Sequence, residues 1–226
     1  MVDHHAALLL LADGRLPAGA YAHSAGLEPA VHDGHVRTLE DVRSFAEGRL
    51  ETVGRVAATF AAAACHAAHG SSVDEVRLAA LDGALDARMP SPASRATSRQ
   101  LGRQLVRVAT TMGAGGHVAL LGPEPHQPLA LGVTCAAFDL TPRDAALVVL
   151  HETAAGVIAA AVRLLSLDPL AAHRVLADCR SRIDELADLA EADCVGDVVD
   201  LPAAAAPLLD VFAERHGRRA GRLFAS

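Results

Sequence analysis

The sequence contains no lysine, no tryptophan and a single tyrosine, so all twenty of its basic residues are arginine. Without lysine it has no Gly-Lys-Ser/Thr to close a phosphate-cradling loop, which excludes a P-loop nucleotide hydrolase. Aromatic residues make up 3% of the chain against 51% hydrophobic residues overall. The core must therefore come from Ala, Leu and Val, a composition that favours close-packed helices over strands. No run alternates apolar and polar residues as a half-buried strand does. Cysteine is sparse: Cys65, Cys135, Cys179 and Cys194 form no Cys-x-x-Cys, which argues against a disulfide framework and fits a reducing, cytoplasmic setting. No long basic run occurs and the net charge is −7, so nucleic acid is not an expected partner. Met1-Val2-Asp3-His4-His5 places no basic region before the first apolar run, unlike a secretory signal. The longest apolar stretch, Ala145 to Leu167, carries His151, Glu152 and Arg163, which suits a buried core helix rather than a membrane span.

What is present is helix, punctuated by clear starts and stops. The 226 residues fit one domain. Ala6 to Ala12 is a short apolar run. Leu16 to Gly19 is a Pro/Gly turn, and Ala22 to Val31 reads as a helix displaying Ser24, Gly26 and Glu28, with Pro29 ending it, kinking it or sitting in the first turn of the next. Thr38 and Asp41 form a capping box, opening an amphipathic helix of about eight turns that ends at Gly70. Within it Gly48 and Gly54 mark a bend or a split. Ser72 with Glu75 predicts a second box and a helix to Ala87. After the Met89-Pro90-Ser91-Pro92 break, Arg95 to Met112 forms a helix carrying Arg95, Arg99, Arg103 and Arg107 as one charged stripe. Gly122 to Pro128 is a loop, and Leu129 to Phe138 a short apolar helix. Thr141-Pro142 and Asp168-Pro169 are cap-and-proline starts, the second for a helix reaching Ala192. Val195 to Leu201 is irregular. A last helix, Ala203 to His216, precedes the tail 217–226. The expected fold class is all-α, a single-domain helical bundle (1–226) of about eight to ten helices.

Candidate chemistry is thin. Ala22-His23-Ser24-Ala25-Gly26 aligns to a nucleophile elbow, but that motif needs a strand before it, and a Pro/Gly turn precedes Ser24 instead. A helical hydrolase is therefore a minor reading. Cys65 with His69, beside His66, and His32 with His35 stand at spacings that put two metal ligands on one helix face. No second pair completes a set of four, so no metal site and no cofactor are expected. A helical metal-binding or metal-sensing protein is kept as the alternative function. The arginine stripe suits an acidic partner or, more commonly, a solvated face. In the tail, Arg218, Arg219 and Arg222 flank Leu223 and Phe224. That pair either folds back on its own core or becomes ordered in a partner's groove.

Leu16 to Glu28 holds the densest set of unusual residues. Its Pro-x-Gly-x-x-x-x-Ser-x-Gly-Leu-Glu, here Pro17, Gly19, Ser24, Gly26, Leu27 and Glu28, resembles the signature of the urease accessory protein UreF family. His126 with Gly132, and Arg95, Ser98, Gly102 and Leu105, resemble its middle. His216 and Arg222-Leu223-Phe224-Ala225-Ser226 resemble its C-terminal motif, with Gly217 where Glu is usual and Gly221 where Ser is usual. The resemblance implies an all-α, dimeric, non-enzymatic maturation factor. Such a protein assembles with a D/H-type accessory protein and the nickel-carrying GTPase UreG, docks on apo-urease, and modulates GTP hydrolysis or the fidelity of nickel insertion. It also implies partner binding through Pro17, Gly19, Ser24, Gly26 and Glu28 and through His216, Arg222, Leu223, Phe224 and Ser226, with 217–226 a flexible docking tail.

Overall fold

The computed structural model describes residues 4–70, 73–216 and 223–224, and these contain helices and turns with no strand. The elements are α1 (His4–Leu11), α2 (Leu27–His32), α3 (Leu39–Arg49), α4 (Arg55–Ala68), α5 (Glu75–Ala87), α6 (Pro92–Ala109), α7 (Gly115–Val118), α8 (Gln127–Ala137), α9 (Pro142–Leu165), α10 (Pro169–Asp178), α11 (Arg180–Asp193) and α12 (Pro207–His216). A π turn, Leu50–Gly54, joins α3 to α4, and another, Thr110–Ala114, joins α6 to α7. The all-α, single-domain expectation holds.

Helix α4 is the centre. It packs chiefly on α8 and α9, with α11 and α5 completing its surroundings. Its residues Ala61, Ala62, Ala63, Ala64 and Cys65 are all fully buried. Such small side chains bring backbones close. At Gly132 of α8 a Cβ would lie 2.1 Å from the Ala61 carbonyl oxygen and 2.9 Å from the Cys65 nitrogen. Gly102 of α6 is equally tight, since a Cβ there would lie 2.0 Å from the Pro125 carbonyl oxygen. Helix α9 is the one described helix long and apolar enough to cross a membrane, and more than half of its apolar window is buried inside the bundle.

Beside the α4 core a smaller apolar cluster joins Leu27, Val42, Val157, Ile158, Val175, Phe212 and Phe224. It is the layer under the signature stretch.

His126 ties the loop after α7 to α5 and α6. Its ring is fully buried, with Nδ1 3.0 Å from Ser98 Oγ and Nε2 3.2 Å from Asp86 Oδ1. Arg99 bridges Asp82 and Asp86 in the same cluster. Burial first, then the nearby Arg99, pushes the His126 ring below its ordinary value. The hydrogen bond from Arg99 holds the Asp86 carboxyl below its own.

The caps at Thr38 and Thr141 are complete capping boxes, and Asp168 caps α10. Four elements differ from expectation. Helix α5 is capped by Asp74, whose side chain accepts from Arg77 N–H; Ser72 lies outside the described residues. The helix foreseen from Asp168 to Ala192 breaks at Cys179 into α10 and α11. Helix α12 starts at Pro207, because a proline disfavours helical geometry in the residue before it. The helix foreseen from Ala22 to Val31 is replaced by a 3₁₀ turn (Ala20–Ala22), a left-handed turn and the short α2, with Pro29 in its first turn.

Two outcomes are expected. Gly132→Ala forces α4 and α8 apart, so it should cost about 3 kcal/mol or more and lower the melting temperature by about 6 °C or more; an unchanged melt would show that the helices yield freely. Acidification is the second. A ring held below 6.5 binds fewer protons folded than unfolded, so its contribution is lost as pH falls below that value, and that of Asp86 is lost further down, below 3.8. His23 and His151 share the direction of His126. Denaturant titrations between pH 6.5 and 5 should show falling stability, with a smaller slope in His126→Gln.

Candidate partner-docking site

The signature stretch is a turn locked from three sides. Gly19 has φ +89°, and a Cβ there would lie 2.6 Å from Gln104 Oε1. Gln104 in turn donates from Nε2 to the Pro17 carbonyl at 3.0 Å. Ala25 and Gly26 both take left-handed backbone, at φ +55° and +86°. For alanine this conformation is strained, and Arg49 of α3 holds it by donating from Nη1 to the Ala25 carbonyl at 2.7 Å. On the third side Leu209 of α12 packs against Gly26, where a Cβ would stand 3.1 Å from Leu209 Cδ2. Gly26 is the N-cap of α2, which places Glu28 in the first turn, a favourable position for a carboxylate at the positive helix end. Ser24 is fully buried rather than displayed on a helix face.

Glu28 is where the tail returns. Its Oε1 accepts from Leu223 N–H at 2.7 Å, and its Oε2 from Phe224 N–H at 3.1 Å. His216, at the end of α12, donates from Nε2 to the Phe224 carbonyl at 3.2 Å and stands 3.8 Å from Glu28 Oε2. The Phe224 ring is 5% exposed within the smaller apolar cluster, and the Arg163 guanidinium of α9 lies over it, 4.5 Å from its centroid. Leu223 points outward at 53% exposure. Of the two readings the sequence leaves open for this pair, folding back on its own domain is what Phe224 does here; Leu223 alone remains exposed. Arg222 and Ser226, with Arg218 and Arg219, lie outside the described residues. The structure thus brings Glu28, His216, Leu223 and Phe224 together, next to Gly26. Pro17 and Gly19 lie on the α6 side of the same turn.

The comparisons with known proteins agree with the motifs. The UreF family pattern matches residues 36–180. The chain is 42% identical to the urease accessory protein UreF of Mycobacterium sp. (strain JLS) over 97% of both chains. It is 40% identical to that of Mycolicibacterium vanbaalenii and 37% to that of Mycobacterium tuberculosis (strain H37Rv), over 98% of each chain. The chain belongs to the UreF family. That membership gives it an accessory role in urease maturation and interaction with other urease accessory proteins. The family pattern starts after the signature and stops before the tail, whereas the full-length relatives align across nearly the whole chain.

The other candidate residues serve the UreF-family fold. Cys65 S–H and His69 Nε2–H both donate to the Leu140 carbonyl, at 3.3 and 2.6 Å, so their i, i+4 spacing serves a shared backbone oxygen. His35 packs on Phe212, ring centroids 5.8 Å apart. Among the described residues no three His, Cys, Asp or Glu side chains converge as a metal site needs. The arginine stripe is largely spent inside the chain: Arg95 pairs with Asp86, Arg99 with Asp82 and Asp86, and Arg103 with Glu124. The residues that sequence reasoning missed are Arg49, Gln104, Arg163 and Leu209. Only Arg163 carried a signal, as a cation in a nearly all-apolar helix.

Glu28→Gln replaces one acceptor oxygen with an amide that faces a backbone N–H. The tail contact should loosen at a cost of about 1–3 kcal/mol, seen as faster exchange of the Leu223 and Phe224 amides while the rest of the chain exchanges as before. Unchanged protection at both amides would show that Phe224 burial alone holds the tail.

Proposed function

We propose that this chain is a non-catalytic scaffold of urease metallocentre assembly that meets its partners across the joint surface of the signature turn and the returning tail. The observation that carries this reading is the pair of hydrogen bonds from Leu223 and Phe224 N–H to Glu28. They make two motifs that stand 195 residues apart into one surface, with Leu223 and Tyr21 exposed on it. Exposed apolar residues in the two joined motifs suit a protein partner rather than a reaction.

Family resemblance supplies the rest of the proposal. The partners are the D/H-type accessory protein and the GTPase UreG, and the assembly docks on apo-urease with nickel as its cargo. The chain contributes by modulating GTP hydrolysis or the fidelity of metal delivery, works as a homodimer in the cytoplasm, and binds no cofactor of its own. Buried Phe224 gives the tail a role in the free chain as well. It keeps the surface in one shape, and docking through the tail extends a contact that already exists.

Co-purification from cells expressing the urease proteins tests this. Phe224→Ala removes the anchor without touching Glu28, and should cost about 3 kcal/mol of stability or somewhat more. Among the molecules that remain folded by circular dichroism, it should lose the D/H-type partner and the GTPase. Tyr21→Ala and Leu223→Ala should weaken the complex with no change in melting temperature. Full complex formation by all three variants would place the docking surface elsewhere.

A further inference from the structure

Behind the signature turn lies a cavity of about 310 Å³. Arg49 lines it. Among the described residues the guanidinium makes a single hydrogen bond, from Nη1 to the Ala25 carbonyl, and its Nε is sealed from solvent with no hydrogen-bond partner. The side chain is part-buried, and a cation drawn out of water without a counter-charge is costly, so proteins ordinarily pair it. Here no described carboxylate does so. Burial alone pushes Arg49 down to about 10, and burial alone pushes Glu152, the acid on the α9 wall of the same cavity, up to about 7. Neither group feels the other. Asp210 on the α12 wall answers to burial, Ser91 and Glu214 rather than to Arg49.

We propose that the cavity binds a small organic carboxylate on Arg49. Among the described residues Nη2 of Arg49 has no hydrogen-bond partner, and unlike Nε it is not sealed from solvent, so it is the nitrogen that can donate to a carboxylate oxygen. Val53, Leu101, Leu209 and Phe212 supply apolar walls, which suit a short hydrocarbon body better than sulfate or phosphate. The space exceeds that of one water molecule many times over. The charged and titratable groups facing the ligand are Arg49, His23, Arg88, Glu152, Asp210 and His216. Arg88 is engaged with the carbonyls of Ala84, Val198, Val199, Leu201 and Pro202, which leaves Arg49 as the anchor. Ionised Glu152 opposes an anion and neutral Glu152 does not, so affinity falls as pH rises through about 7. The ligand would sit under Ala25, against the residue that holds the signature turn in its left-handed form.

Calorimetric titration of the full chain with sodium acetate, propionate and butyrate tests this, against sodium chloride at equal ionic strength and at pH 6 and 8. Saturable carboxylate binding is expected, tighter at pH 6, and about tenfold weaker in Arg49→Lys, which keeps the charge and loses the planar fork. Glu152→Gln should bind more tightly than the wild type at pH 8, a gain that misfolding cannot produce. Should Arg49→Lys fail to fold, the Glu152→Gln arm decides alone. Acetate acting no differently from chloride, unchanged binding in Arg49→Lys, or no gain at pH 8 in Glu152→Gln would each overturn the site.

Discussion

Everything in this fold depends on how closely α4 and α8 approach. A chain with so few aromatic residues has few large side chains to span wide gaps between helices. The alternative is to bring the backbones together, so that many small contacts replace a few large ones. The alanine run of α4 and the bare Cα of Gly132 permit that approach, and α9 and α11 then close around α4. The Leu140 carbonyl, just past the end of α8, is held by Cys65 of α4 and by His69 just beyond its end, so the α4–α8 contact is pinned by hydrogen bonds as well as by packing. Gly102 repeats the device where α6 meets the loop that carries His126. Alanine-built cores are intolerant of added volume for the same reason that they are stable without aromatics.

The signature turn is a second constraint, laid on the first. Its left-handed Ala25 is strained, and the strain persists because Arg49, Gln104 and Leu209 reach it from three different helices. The returning tail adds a fourth hold through Glu28. A turn fixed by α3, α6, α12 and the tail reports on the relative positions of all four, so a partner that touches it senses the assembled domain rather than a local peptide. This suits an accessory protein, whose useful property is a shape presented to other proteins.

Much of this was legible in the sequence where the physics is local. Thr38, Thr141 and Asp168 announce helix starts because a cap bonds to nitrogens two or three residues away, and that is where they cap. The Pro/Gly turn at Leu16 to Gly19 was legible for a similar reason. The misses were non-local. Alanine ordinarily favours helix, and only Arg49, 24 residues on, explains why Ala25 abandons it. The break at Cys179 has no glycine or proline to mark it. Glu28 looked like a helix-surface carboxylate, since nothing in its neighbourhood reveals partners almost the whole chain away.

The absence of lysine has structural weight as well. Irregular segments carry backbone carbonyls that no helix satisfies, and buried carbonyls must be satisfied somehow. In this chain arginine does much of that work. Arg77 takes the Cys194 and Gly196 carbonyls at the end of α11. Arg88 gathers carbonyls along the loop that follows, while stacking over Phe60 at 5.2 Å. Arg95 takes Met89 and Pro90 before α6. A planar fork with five N–H groups can bridge several oxygens at once from one direction, whereas an ammonium is a compact point that holds its water more tightly. Lysine at Arg88 would retain the charge and abandon most of the carbonyls. The segment from Val195 to Leu201 has no regular structure of its own, so its place against α5 rests on those bonds, and with it the chain's approach to α12 and to the wall that α12 builds beside the signature turn.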